Sequence, residues 1–361
     1  MAFKATLKGI LPRAYIDRMQ VWRERLDVRL ARLAAYNRWT AALYYLLYSG
    51  EFGREMHAVL QARRRYYEAR GGLQPNSYLL RRNIHRLEKG LIMLPRRPLF
   101  GVAYITETVD YLQFYKSAQI LTDTEWHWAT GVLDEYFLRV QETPLTVVAR
   151  NVYTQIVAAA GITPVIAEGG YRPLAYSALP PPAVSYGDLT ALCERRHSVR
   201  WFTPQPVPQD LLNSAIDVAA TAPSACNRQP FKFYVYDQPE RAQEIASIAM
   251  GTAGFAHNFQ CVLVIVGDLS AYPFEKDRHI IYIDGGLAAM QLQLALETQG
   301  LASCCINWPD IEHCERQMGA ELSLEPYQRP LMLLAVGYAL AHASVPYSAK
   351  KTAADLVVRP K

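Results

Sequence analysis

Two arginines and a serine fall within five residues at Arg196-His197-Ser198-Val199-Arg200, and a polar loop, Pro223-Ser224-Ala225-Cys226-Asn227-Arg228-Gln229-Pro230, follows about one helix later. Arginine presents a rigid fork of donors and serine adds a short hydroxyl, so the first run has the chemistry to hold a phosphate. A basic run alone can equally be a solvated surface cluster. The elements around it decide how much weight it carries.

Asp188 reads as the N-cap of a short helix through Leu189, Leu192 and Cys193, which leads into the basic run. Trp201-Phe202 then reads as extended. Pro208 suits the first turn of a helix carrying Leu211, Leu212, Ile216 and Ala219. That helix must stop near Ala222-Pro223, because a proline forces the residue before it into extended conformations. Ser224 to Gln229 therefore form a polar loop between a helix end and the strand Phe231 to Tyr236. Loops fixed between rigid elements are where binding residues tend to sit.

In order and spacing these two motifs resemble the nitroreductase family, whose domains open with R-[RH]-S-x-R and continue with P-S-x-x-N-x-Q-P. Three later segments are similar as well. One is the apolar strand Cys261 to Val266 ending at Gly267-Asp268. Another is Tyr282-Ile283-Asp284-Gly285-Gly286, which opens a long helix ending at Gly300; the helix is apolar nearly all round and is expected to be buried. The last is the strand Leu331 to Tyr338 followed by Lys350-Lys351, where the family commonly has Arg-Lys. Lys350 keeps the charge of that position and loses the bidentate fork.

The resemblance implies an α+β fold, a central and mainly antiparallel sheet flanked by helices. It implies FMN as cofactor and NADH or NADPH as electron donor, with hydride passing to the flavin and then to a small-molecule acceptor in the same slot. For the cofactor site it implies Arg196, His197, Ser198, Arg200 and Lys350 toward the phosphate, with Pro223, Ser224 and Asn227 in the loop bordering the flavin. Gln229 belongs to the same loop, either as a contact or as a side chain that stabilises it. Cys305, Ile306 and Asn307 would lie near the reactive edge of the ring. No catalytic acid or base is implied, since the cofactor carries the chemistry. Family members are homodimers with FMN between subunits, so some of these residues would act across the interface. The acceptor is left open among nitroaromatics, quinone-like compounds and biosynthetic intermediates, because one fold hosts many reactions. The alternative is an interaction or scaffold protein, with or without flavin, docking through its basic first part.

This resemblance spans residues 186–361. Residues 1–175 are expected to form a mostly helical, basic domain, 176–187 a proline-rich linker around Pro180-Pro181-Pro182, and 188–361 the flavin domain. Charge divides the chain too. Residues 1–100 hold 20 Lys and Arg against 7 Asp and Glu, and residues 101–361 hold 18 against 26. Ile16, Met19, Leu26, Leu30 and Leu33 make a helical apolar stripe beside Arg18, Arg25, Arg29 and Arg32. Such a helix can pack on its own domain with a solvated basic side, the favoured reading, or meet a membrane surface. No nucleic-acid partner is expected.

Leu80, Ile84, Leu87 and Leu91 form another stripe, leaving Arg81, His85 and Glu88 together on a different face. A polar network or interdomain contact suits these three better than a metal site, whose further ligands are missing. The string Arg81 to Leu91 is also similar to extended nitroreductase-like proteins from bacterial polysaccharide gene neighbourhoods, a resemblance of context rather than chemistry. No apolar run reaches the length of a spanning helix, no secretory signal opens the chain, and the six cysteines lack disulfide or zinc spacing. A cytoplasmic location and no bound metal are expected.

Overall fold

The computed structural model describes residues 13–72, 76–161 and 171–360. The described chain forms two compact units, residues 1–58 and 59–361. In the first, α1 (Arg13–Ala34) is followed by α2 (Arg38–Tyr44), which Asn37 caps by accepting from the Trp39 and Thr40 amides. The side chain of Ile16 lies outside the described residues. Of the rest of the expected apolar stripe, Leu26 and Leu30 are half-buried, while Met19 and Leu33 are exposed. A pair of helices supplies no second layer to bury such a stripe.

The second unit contains two cores. The first lies among α3 (Gly53–Arg70), α4 (Tyr78–Leu91), α5 (Ile105–Ser117), α6 (Asp123–Arg139) and α7 (Pro144–Ala159). The stripe Leu80, Ile84, Leu87 and Leu91 is buried there against Leu112, Trp126, Leu133 and Tyr136. Each such side chain contributes about 1.5–3 kcal/mol by leaving water. Capping boxes start α6 at Thr122 and α7 at Thr143.

The remaining elements are α8 (Tyr186–Arg195), α9 (Gln209–Ala220), β1 (Phe231–Tyr236), α10 (Pro239–Ile248), β2 (Cys261–Asp268), α11 (Ile280–Thr298), β3 (Ala302–Asn307), α12 (Glu312–Glu321), β4 (Gln328–Gly337) and α13 (Ala353–Leu356). The strands form one sheet in the order β1-β2-β4-β3, antiparallel throughout. Central β2 is buried on both faces. Its Val262, Val264 and Val266 face one core with Ile245 of α10 and Met318 of α12; Cys261 and Leu263 face another with Leu212 of α9 and Leu292 of α11. This is the period-two alternation of a strand covered on both sides by helices, in an α+β arrangement with a helical amino-terminal part.

Two local expectations need correction. The N-cap of α8 is Ser185, and Asp188 is the third helical residue, returning its carboxylate to the Ser185 amide in a capping box. Helix α11 is not buried all round. Asp284, Ala288, Leu292 and Ala295 face the sheet, whereas Tyr282, Ile283, Leu287 and Met290 are exposed along the opposite side. Among the described residues no layer covers that side.

Candidate functional site

The Arg196–Arg200 run follows the end of α8, where Arg196 closes the helix by donating its amide to Leu192. It then runs along the outside of β3, with Ser198 bridged to Ser303 and the Val199 amide donating to the Ser303 carbonyl at 3.1 Å. Arg195 pairs with Glu297 of α11 at 2.9 Å, tying α8 down beside it. Arg196, His197 and Ser198 thereby line a cleft of about 890 Å3 whose other wall holds Tyr347, Ser348 and Lys350. Two cations and a hydroxyl thus converge from segments about 150 residues apart, the donor set a phosphate requires. Arg200 is not among the residues lining this cleft, and its guanidinium lies over the Phe255 ring at 5.7 Å. Burial pushes the Cys304 thiol up, while Arg200, Ser198 and Arg196 pull it down.

Along β3 the alternation separates the three residues expected near the flavin. Cys305 and Asn307 are exposed, and Ile306 is buried with Val264 and Leu333. Only the main chain of Ile306 can meet a ligand. The sulfur of Cys305 lies 4.0 Å from that of Met332.

The second motif occupies a tight loop before β1. Cys226, Asn227 and Gln229 have φ of 54°, 51° and 49°, the left-handed region that costs a non-glycine residue about 1 kcal/mol or more each. Several contacts hold this shape. Ser224 accepts from the Gln229 amide, Asp284 accepts from the Ala225 amide, and Gln229 donates to the Ala220 carbonyl at 2.6 Å. Burial pushes the Asp284 carboxyl above its usual range, opposed by the Ala225 amide, the Tyr272 hydroxyl and Arg228. Arg81 of α4 donates to the Asn227 carbonyl at 2.7 Å and to the Gln229 side-chain oxygen at 2.6 Å. Both ends of the Gln229 amide are therefore engaged within the protein. Asn227 and Gln229 both line an open cavity of about 500 Å3 together with Arg81, Thr122, Trp128 and Tyr171.

The two motifs do not meet within one chain. The loop leads into β1, and the arginine run flanks β3, so the whole width of the sheet lies between them. Three strand spacings amount to about 14 Å. Lengthwise, β1 starts opposite Gly267 and hence Arg329, while Ser198 sits beside Ser303, the partner of Val336. Those rows are about 23 Å apart along β4. The half-sites thus occupy diagonal corners of the sheet.

Sequence reasoning missed Arg81, Thr122, Trp128 and Tyr171 as neighbours of the loop. The usable signal was the polar face Arg81-His85-Glu88 of α4. Here Glu88 pairs with His85 at 3.1 Å and accepts from the Trp128 indole at 2.9 Å, forming a polar network. Among the described residues no group of His, Cys, Asp and Glu is placed to hold a metal, and no helix is long and apolar enough to cross a membrane.

The fold thus carries an arginine-lined cleft and a strained polar loop on one helix-covered antiparallel sheet. Residues 193–254 and 240–338 match the nitroreductase family, and helical residues precede the matched part. The chain is 25% identical over 192 residues to YdgI of Bacillus subtilis (strain 168), named as an NAD(P)H nitroreductase, covering 43% of this chain and 90% of that protein. It is 34% identical over 114 residues to the CLA biosynthesis enone reductase of Lactiplantibacillus plantarum, covering 31% and 52% respectively. The solved nitroreductase family protein of Streptococcus pneumoniae TIGR4 shares 24% identity, covers 48% of this chain and all of its own, and has a TM-score of 0.41.

Proposed function

We propose that the protein is an FMN-dependent NAD(P)H oxidoreductase acting on a small, electron-poor acceptor of nitroaromatic, quinone or conjugated-enone type. The observation that carries this reading is the convergence of Arg196, Ser198 and Lys350 on one cleft. FMN, when bound, would supply hydride transfer between nicotinamide and acceptor. Arg196 and Lys350 would neutralise its phosphate, with Ser198 adding a hydrogen bond. Asn227 and the exposed Cys305 and Asn307 would border the ring, and Gln229 would shape the loop without touching the cofactor. The acceptor class is our inference from the names of the nitroreductase and enone reductase relatives.

The diagonal separation of the half-sites favours a homodimer in which each flavin lies between the cleft of one subunit and the loop of the other. The exposed apolar row Ile283, Leu287 and Met290 on α11 supplies a face for that pairing. The six free cysteines suit a reducing, cytoplasmic setting. Release of flavin on denaturation tests the reading. About one FMN per chain is expected, and colourless protein that also fails to take up added FMN would reject it.

A further inference from the structure

Arg81 stands on α4, outside the residues that match the family, yet its guanidinium ends inside the loop. Its Nε donates to the Asn227 carbonyl, one Nη to the Gln229 side-chain oxygen, and the other Nη to Glu125 at 2.9 Å. The plane of the fork lies over Trp128 at 5.2 Å, and Trp128 is in turn fixed to Glu88. The Arg81 and Glu125 side chains are only 13% and 15% exposed, at the wall of the cavity, so salt screens this pair less than a fully exposed one. It grips the two residues, Asn227 and Gln229, that flank Arg228 in left-handed conformations. A left-handed residue redirects its carbonyl, and without a strong donor the strained loop would relax toward ordinary φ values.

We propose that Arg81 is a positioning residue of the flavin site, holding the strained 224–229 loop in its binding shape, so that the helical bundle is a working part of that site. The proposal rests on the reading of FMN as cofactor. A lysine could keep the charge opposite Glu125, but one ammonium on a flexible stem cannot reproduce a planar fork directed at three acceptors. Deleting the bundle would therefore disturb the loop even where the sheet and the arginine cleft stay intact.

Arg81→Lys and Arg81→Gln in the full chain provide the test, read first without flavin. The amides of Ala225, Asn227, Arg228 and Gln229 are all hydrogen-bonded in the loop, so hydrogen exchange reports its order directly. In both variants these amides should exchange about tenfold faster or more, while the interior amides of α6 keep wild-type rates. FMN and riboflavin affinities should fall together by about five- to thirtyfold, because the loop borders the ring and not the phosphate. Loop amides unchanged in both variants would overturn the proposal. If Arg81→Gln loosens the whole bundle, Arg81→Lys decides, since loop and bundle loosening equally there would also overturn it. A wild-type protein that takes up no FMN would refute the cofactor reading, and the exchange comparison would still decide whether Arg81 sets the loop.

Discussion

The cleft at Arg196 and the loop at Asn227 are built on opposite principles. The cleft is open, formed by a run beside an edge strand and a carboxyl-terminal segment whose Tyr347 and Lys350 are exposed. On the proposed reading its ligand is recognised by charge. The loop is closed on itself, strained at three residues, and anchored by Asp284 from α11 and Arg81 from α4. Its specificity resides in shape, maintained by contacts from distant parts of the chain. A site divided in this way can recognise phosphate and ring independently.

Arg196→Ala should expose that division most strongly. A hydrogen bond to a charged group contributes about 1.5–3 kcal/mol, so FMN affinity should fall by about ten- to a hundredfold. Riboflavin, which lacks the phosphate, should bind nearly as before. Isothermal titration with both ligands checks this. Equal weakening of the two would mean that Arg196 shapes the protein and does not read the phosphate.

A smaller effect separates the bundle from the loop through pH. Glu107 of α5 is half-buried, which by itself raises its pKa, but hydrogen bonds from Asn83 and Tyr111 with Arg70 and Arg82 nearby hold it below the usual Glu value. Its contribution to stability is complete above the ordinary Glu pKa and is lost as pH falls through the lowered folded value. Asp284 beneath the loop is raised, so the folded state holds its proton over a window where the unfolded state has released it. Stability from that group therefore falls as pH rises through the window above the ordinary Asp value. Urea unfolding across the acid range should show that Glu107→Gln removes a loss on acidification and that Asp284→Asn removes a loss on the rise of pH. Parallel slopes in the two variants would contradict these assignments.

The sequence made the local half of this architecture legible. Pro223 marks where α9 must stop, the aromatic-rich run Phe231 to Tyr236 marks β1, and the stripe Leu80-Ile84-Leu87-Leu91 identifies the buried side of α4. Cleft residues could be named because arginine and serine chemistry is written in five consecutive positions. What stayed hidden depends on long-range assembly. The Arg81–Asn227 contact joins residues 146 apart in the chain, and only the polar face of α4 hinted that it met something. The diagonal separation of the motifs follows from a sheet order that places β4 between β2 and β3, which no local pattern encodes. Helix α11 reads as wholly buried because apolar residues occur all round it, and periodicity cannot tell a core from an exposed apolar face.

Mixed dimers test the split site most directly. A chain carrying Arg196→Ala and a chain carrying Asn227→Ala each spoil one half-site, and each should bind FMN poorly as a homodimer. If every flavin draws its cleft from one subunit and its loop from the other, a mixed dimer has one site with both defects and one fully intact. Such dimers, purified by differential tags, should then recover about half of the wild-type flavin content at full affinity. Mixed dimers that bind FMN as weakly as the two parents would place both half-sites of each flavin in one chain and contradict the account.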